Sequence, residues 1–112
     1  MNVTRASPLV SPHVRLGATP ASLNANELVA AATGAKYRVL AAAVIATTAV
    51  SVKFQSGSTD ITGTFPLGAN GGMVLPFNEH GWFETASGEA LNIHLSSAVS
   101  CGVQLHYIKL PV

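Results

Sequence analysis

The chain has 112 residues, of which 10% are charged and 48% hydrophobic, and its formal net charge is +1. This length suits one domain that buries about 65% of the unfolded chain's surface. So low a charged fraction, against about a quarter in typical domains, indicates that part of the surface is covered by further copies of the chain or by a partner.

Neither export nor membrane insertion is expected. No apolar signal region follows Met1, and the mainly apolar run at residues 39–52, which has no charge and no proline, is shorter than the 18 or so residues that a spanning helix needs. The single cysteine, Cys101, has no partner for an internal disulfide. Because it is in phase with apolar neighbours, it is predicted to be a small buried hydrophobe and not a reactive thiol.

Residues 1–20 are predicted to form an extended N-terminal arm, because Pro8, Pro12 and Pro20 prevent a helix from propagating. An arm that mixes apolar and basic residues is suited to dock on another subunit or on a partner. The alternative is an edge strand folded against the protein's own sandwich. The residues that carry this pattern are Val3, Leu9, Val10, Val14 and Leu16, interleaved with Arg5, His13 and Arg15.

Residues 21–112 are predicted to form the folded domain. Residues 21–33 suit either a short helix or a strand, and we favour the strand. Tyr37, Val39, Ala41 and Ala43 open an alternation on one face, diluted by further alanines as expected for a strand covered on both faces. In residues 50–56 the apolar and polar positions alternate cleanly, which predicts a strand with one buried face.

Further strands are predicted at Ile61–Phe65, Met73–Pro76 and Val99–Ile108. Two runs, 81–86 and 90–96, flank a turn signal at 87–89 and form a central pair. Seven or eight short strands about ten residues apart favour an all-β fold. We predict an antiparallel β-sandwich, jelly-roll-like, that follows the N-terminal arm.

No residue pattern indicates an enzyme, a metal site or a cofactor. The histidines do not have zinc-site spacing. If the last two strands formed a hairpin turning near Ala98, His94 and His106 would lie about 7–13 Å apart along it, too far to share one ion. No Gly-x-Ser-x-Gly motif presents a nucleophile. The six basic residues are scattered without an aromatic platform, so no nucleic acid is expected as a partner.

Trp82 and Phe83 are adjacent, so a strand directs them to opposite faces. One of the two is predicted to join the core. The other is predicted to be exposed, at an interface or under a loop. We prefer Trp82 as an interface anchor, and the alternative is a satellite core position.

Residues 37–108 resemble the small structural proteins of tailed bacteriophages, especially head decoration (cement) proteins. The resemblance rests on a strand ending in Ser-Gly, a Gly-Gly loop, an aromatic-Thr strand, a Gly-x-Ala-Leu strand and a closing strand. The segments that carry these features are Val50–Gly57, Gly71–Pro76, Gly81–Thr85, Gly88–Ile93 and Val103–Tyr107.

This resemblance implies a non-enzymatic virion protein with a jelly-roll-like sandwich, made in the host cytoplasm and located on the capsid surface. Its implied partners are the major capsid protein and further copies of itself, as a homotrimer or alternatively a dimer. Several weak contacts held by one oligomer would add up to strong attachment. The rival function is a phage tail module that binds a receptor or glycan, in which Trp82 would stack on sugar rings.

Overall fold

The computed structural model describes the backbone of residues 14–18 and all of residues 26–111. These residues form two antiparallel sheets packed face to face, which confirms the predicted all-β sandwich. The strands are β1 (Val14–Ala18), β2 (Asn26–Val29), β3 (Ala35–Ala46), β4 (Val50–Ser56), β5 (Thr59–Asp60), β6 (Phe65–Leu67), β7 (Gly72–Leu75), β8 (Phe83–Glu84), β9 (Leu91–Leu95) and β10 (Cys101–Pro111).

The strand order is that of a jelly roll. The first sheet has the order β1-β10-β3-β7, and β8 also pairs with β3. The second sheet has the order β2-β9-β4-β5, and β6 also pairs with β4. Since β5 and β6 share one neighbour, and β7 and β8 share another, each pair acts as one interrupted strand. Four strand positions then remain in each sheet, and the chain passes repeatedly from one sheet to the other.

The core lies between the two sheets and is built from alternate residues of the long strands. Leu91, Ile93 and Leu95 of β9 are fully buried, and so is Phe54 of β4, as the alternation predicted. Phe83 of the first sheet packs on Phe54 of the second, with ring centroids 4.9 Å apart. This aromatic contact joins the sheets across the core.

A β-bulge in β3 changes which of its residues face the core. Val39 pairs with Tyr107 and Ala41 pairs with His106, so Leu40 has no pairing partner in β10. Up to Val39 the odd-numbered positions face the core, whereas beyond the bulge Ala42, Val44 and Ala46 do. The prediction that Ala41 and Ala43 share a face with Tyr37 and Val39 is therefore wrong, because one inserted residue inverts the alternation.

Leu40 belongs to a second, smaller buried cluster with Ile108 and Leu110 of β10. Ile108 pairs with Arg38 and Leu110 with Lys36, both before the bulge. These positions lie on the outer side of the first sheet, since Tyr37 and Val39 point the other way into the core.

Two of the predicted turns connect strands of different sheets, where the sequence suggested paired strands. β8 pairs with β3 in the first sheet, whereas β9 pairs with β2 and β4 in the second, so residues 87–89 connect the sheets. β9 and β10 also lie in different sheets, so there is no hairpin turning near Ala98. Gly and Ser mark a change of chain direction, but they do not determine which sheet receives the next strand.

The predicted strand at Ile61–Phe65 is also replaced, by β5 before it and β6 after it. Between these strands the Thr62 hydroxyl accepts a hydrogen bond from the Phe54 backbone N–H, at 3.0 Å. A side chain thus occupies the place of a ladder partner and interrupts the strand.

Val14–Ala18 of the predicted arm pairs antiparallel with Val103–Tyr107 at the edge of the first sheet. For these five residues, the alternative prediction of an edge strand in the protein's own sandwich is the correct one. The rest of the arm, with Val3, Leu9 and Val10, lies outside the described residues. Within 21–33, the described strand β2 agrees with the favoured interpretation.

Candidate docking face

The outer side of the first sheet carries the three most exposed of the large apolar side chains among the described residues. Ile45 is 59% exposed, Val74 71% and Phe77 58%. Met73 and Leu75, the neighbours of Val74, pack against the core, so Val74 points outward. We call this surface the docking face and define it by Ala41, Ala43, Ile45, Gly72, Val74, Phe77, Gly102, Gln104 and His106.

Strand pairing arranges the docking face in rows across β10, β3 and β7. Ile45 lies between Gly102 on one side and Gly72 on the other. Because both neighbours lack a side chain, the Ile45 side chain stands above its row as a ridge. Gly72 is required there, since a Cβ at this position would clash with the Val44 carbonyl oxygen and come within 2.8 Å of the Ile45 side chain.

Beside the ridge lies a groove with a floor of small residues. The floor is the β3 segment Ala41–Ala43, of which Ala41 and Ala43 face the groove, and the walls come from the chain on either side, for a volume of about 460 Å³. The walls are formed by Val74, Leu75, Pro76 and Phe77 on one side and by Gln104, Leu105 and His106 on the other.

The ring of Phe77 closes one end of this groove. Its centroid lies 5.6 Å from that of His106, although Phe77 follows β7 and His106 belongs to β10, on the other side of β3. Strands on either side of a third lie about 9.6 Å apart, so the Phe77 ring reaches across β3. It does so at Ala41, the pairing partner of His106, where a larger side chain would obstruct it.

A cluster of ion pairs lies at one end of the first sheet's outer side. Glu84 of β8 accepts hydrogen bonds from Lys36 Nζ and Arg38 Nε, both at 2.7 Å. The bond from Lys36 is the main reason why the pKa of Glu84 lies below its usual range. None of the nine residues of the docking face is Asp, Glu, Lys or Arg. At the β1 edge of the face, Arg15 is the pairing partner of His106.

The outer side of the second sheet is polar by contrast. Asp60 accepts hydrogen bonds from Gln55 Nε2 at 2.9 Å and from Lys53 Nζ at 3.0 Å, and these bonds lower its pKa. His94 pairs with Lys53, and Asn92 pairs with Gln55. Lys53, Asp60 and His94 keep contact with water, whereas Gln55 and Asn92 are buried. The two outer sides of the sandwich therefore differ in what they are suited to contact.

The predicted interface residues have different positions. Trp82 is 43% exposed, whereas Phe83 packs against the core, so the prediction that they point in opposite directions is confirmed. The Trp82 indole N–H donates to the Pro76 carbonyl at 2.7 Å, which places the indole beside the groove. Val14, Arg15 and Leu16 lie in β1 and pair with Tyr107, His106 and Leu105. Whether any of these residues contacts a partner stays a prediction.

The titratable groups that the sequence analysis considered are spread over the fold. Cys101 is buried, as predicted, and burial raises the pKa of its thiol. His94 and His106 lie in different sheets. Among residues 14–18 and 26–111, no three His, Cys, Asp or Glu side chains are grouped as a metal site would require. The same residues contain no helix with the length and hydropathy needed to cross a membrane.

Sequence reasoning missed Ile45, Val74 and Phe77 as site residues. A signal was present, because the run from Ala41 to Ile45 has no polar position and was interpreted as a strand with both faces covered. In the structure the core covers only one of these faces, and Ile45 is exposed on the other. The missing cover is a candidate for a partner molecule.

Comparison with known proteins adds no relative: no family model and no curated protein matches the chain.

Proposed function

We propose that this protein is a non-enzymatic decoration protein of a bacteriophage capsid. In this proposal it associates with further copies of itself and binds the outer surface of the major capsid protein shell, which stabilises the head. The observation that carries the proposal is the uncharged apolar docking face on one sheet, opposite a polar face on the other. The sequence resemblance given above supplies the class of partner.

A two-sided sandwich is suited to this function. The docking face loses unfavourable contact with water when another protein covers it, while the polar face keeps an assembled particle soluble. Oligomers that present several weak contacts attach strongly to a lattice that offers several sites. Binding to the assembled shell alone would shift stability toward that shell by mass action.

The test of location is fractionation of the phage that encodes the protein. Purified heads and purified tails are probed separately for the chain. We expect it in the heads, at many copies per particle, and absent from heads made without its gene. Detection in tails alone would contradict the proposal.

The rival function, a tail module that binds a receptor or glycan, is favoured by one observation, the 43% exposed indole of Trp82 beside the groove. Sugar rings stack on exposed aromatic faces. Glycan-array binding that Trp82→Ala abolishes and Lys53→Ala preserves would support the rival. Lys53 lies in the second sheet, so its replacement leaves the indole and groove intact.

A further inference from the structure

We propose that Trp82 is a positioning residue whose indole N–H fixes the direction of the Phe77 ring, and that this ring sets where the groove of the docking face ends. Two contacts carry the proposal: the hydrogen bond from Trp82 Nε1 to the Pro76 carbonyl and the contact of Phe77 with His106. The positioning does not require a partner, whereas its effect on docking rests on the proposed function.

The connection from β7 to β8, residues 76–82, is held to β3 at two points. The backbone N–H of Asn78 donates to the Leu40 carbonyl at 2.9 Å, and that of Trp82 donates to the Val39 carbonyl at 2.8 Å. Consecutive carbonyls of a regular strand point to opposite edges. The bulge at Leu40 allows both carbonyls to face the connection. The backbone at Asn78 and at Trp82 therefore has a fixed position relative to β3.

The Pro76 carbonyl reports the direction in which the chain enters this connection. The proline ring fixes the φ of Pro76 at about −65°, so its ψ is the angle that directs the chain toward Phe77. The direction of the Pro76 carbonyl depends on the same ψ, and the Trp82 indole N–H holds that carbonyl at 2.7 Å. Because the backbone of Trp82 is itself held to β3, the indole transmits a fixed direction to Phe77.

This fixed backbone aims the Phe77 ring across β3. The centroids of Phe77 and His106 lie 5.6 Å apart, with the ring planes tilted by 41°. Since Phe77 is 58% exposed, core packing does not hold the ring in this place. The rotamers that a side chain can adopt depend on its backbone. The backbone direction at Pro76 therefore decides whether the Phe77 ring reaches His106.

The position of the Phe77 ring decides where the groove ends. The ring lies at the level of Ala41 and His106, which are pairing partners. Phe77 and His106 line the groove, whereas the ion pair of Arg38 and Glu84 lies beyond them, further along β3 and β8. Without the ring, this end of the groove would open toward the charged residues. Phe77 is therefore a specificity-determining residue, because a partner segment in the groove has to end at its ring.

The first test exploits the fact that Trp82 is the only tryptophan of the chain. Biosynthetic incorporation of benzothienylalanine replaces the indole N–H by sulfur and keeps the shape of the ring. Fluorotryptophan, which keeps the N–H, is the matched control. NMR measures the shifts of the carbon-bound ring protons of His106, which the ring current of Phe77 displaces. Phe77→Leu gives the shifts without that displacement.

Loss of the N–H should lower the ratio of Phe77 rings on His106 to rings off it roughly two- to tenfold, the range for one hydrogen bond. For an exposed aromatic pair the native ratio is itself on the order of ten, so the His106 shifts should move measurably toward those of Phe77→Leu. The fluorotryptophan protein should keep the native shifts. Native His106 shifts in the benzothienylalanine protein would overturn the inference, even if its stability is reduced, because Trp82 would then be only a structural residue.

The second test is a double-mutant cycle on capsid binding, measured by co-sedimentation. Phe77→Ala should lower the affinity roughly tenfold, and Trp82→Phe should lower it roughly two- to tenfold. In the Phe77→Ala background, Trp82→Phe should have no further effect, because Trp82 acts through Phe77. Ser58→Asp, at an exposed position in the turn between β4 and β5, should leave the affinity unchanged.

Additive losses in this cycle would mean that Trp82 contacts the partner directly, and would overturn the inference. Circular dichroism of each variant confirms that the sheets remain folded. The NMR test needs no capsids, so the two proposals can fail separately. A chain whose His106 shifts respond as described but that binds no capsids would contradict the proposed function and leave the positioning role of Trp82 standing.

Discussion

At the scale of single residues, the ion pairs of Glu84 are the clearest electrostatic contribution to stability. Its carboxylate accepts from both Lys36 and Arg38 while about a third of each side chain stays exposed. Because solvent screens pairs at such exposure, the contribution to the free energy of unfolding is about 0.5–1 kcal/mol.

Glu84→Gln should lower the free energy of unfolding at pH 7 by about that amount. The folded-state pKa of Glu84 lies below the ordinary value of 4.5, so its contribution is present above that pH and is lost as pH falls through the lowered folded pKa. The difference between native and variant should therefore shrink from pH 7 to pH 3. Urea unfolding at both values measures it, with Glu79→Gln, 78% exposed, as the control.

The assignment of Phe54 to the core can be tested by comparing the stabilities of Phe54→Ala and Trp82→Ala. Phe54 has no exposed surface and contacts Phe83 of the other sheet, so Phe54→Ala should cost about 3–5 kcal/mol of unfolding free energy. Trp82→Ala removes a partly exposed ring and one hydrogen bond, so it should cost about 1–2 kcal/mol. Equal losses for the two variants, measured by thermal or urea unfolding, would contradict the assignment of Phe54 to the core.

At the scale of elements, the connection from β7 to β8 depends on Gly81. Its φ is +85°, and a Cβ there would come within about 2.6 Å of two carbons of the Arg38 side chain. This close approach lets the chain return to β3 beside the bulge, where the backbone N–H of Trp82 donates to the Val39 carbonyl at 2.8 Å.

Gly81→Ala should lower the free energy of unfolding by about 1–3 kcal/mol, because it adds left-handed strain and displaces Arg38. Gly63→Ala is the matched control. A Cβ at Gly63 has no neighbour within 4 Å, and its φ is not in the left-handed region. A loss in Gly81→Ala no larger than in Gly63→Ala would contradict this account of the turn.

The elements also show what the sequence could and could not predict. The alternation in β4 and β9 identified their buried apolar residues, because a strand with one wet face repeats every two residues. It did not predict that Gln55 and Asn92 are buried too. The bulge at Leu40 escaped detection, because it depends on which residues of β10 pair with β3. The turns at 87–89 and 96–100 were identified as turns but not as passages between sheets. Trp82, which was predicted to be an interface residue, lies beside the groove. Ile45 was not predicted, because its sequence context resembles that of a core residue.

At the scale of the whole molecule, β1 determines how the N-terminal arm can be tested. Val14–Ala18 completes the edge of the first sheet, so a deletion that enters it would confuse loss of attachment with loss of stability. Removing residues 2–13 instead should leave the unfolding transition unchanged and reduce capsid retention, if Val3, Leu9 and Val10 reach a partner. Native retention by this variant would discard the docking role of the arm.

Uneven surface character is the property of the whole molecule on which the functional account depends. Among the described residues, the ion pairs of Lys and Arg lie at one end of the first sheet and on the second sheet, and none of the nine residues of the docking face is Asp, Glu, Lys or Arg. Water contact with that face is unfavourable, and coverage by protein removes it. The account therefore expects association at the docking face.

Saturation binding of the purified protein to capsids of the phage that encodes it tests this claim most directly. Co-sedimentation should show saturable binding with a fixed number of copies per capsid, lowered roughly tenfold or more in affinity by Val74→Asp and unchanged by Ser58→Asp. Absence of binding to the capsids, or equal binding by Val74→Asp, would contradict the account.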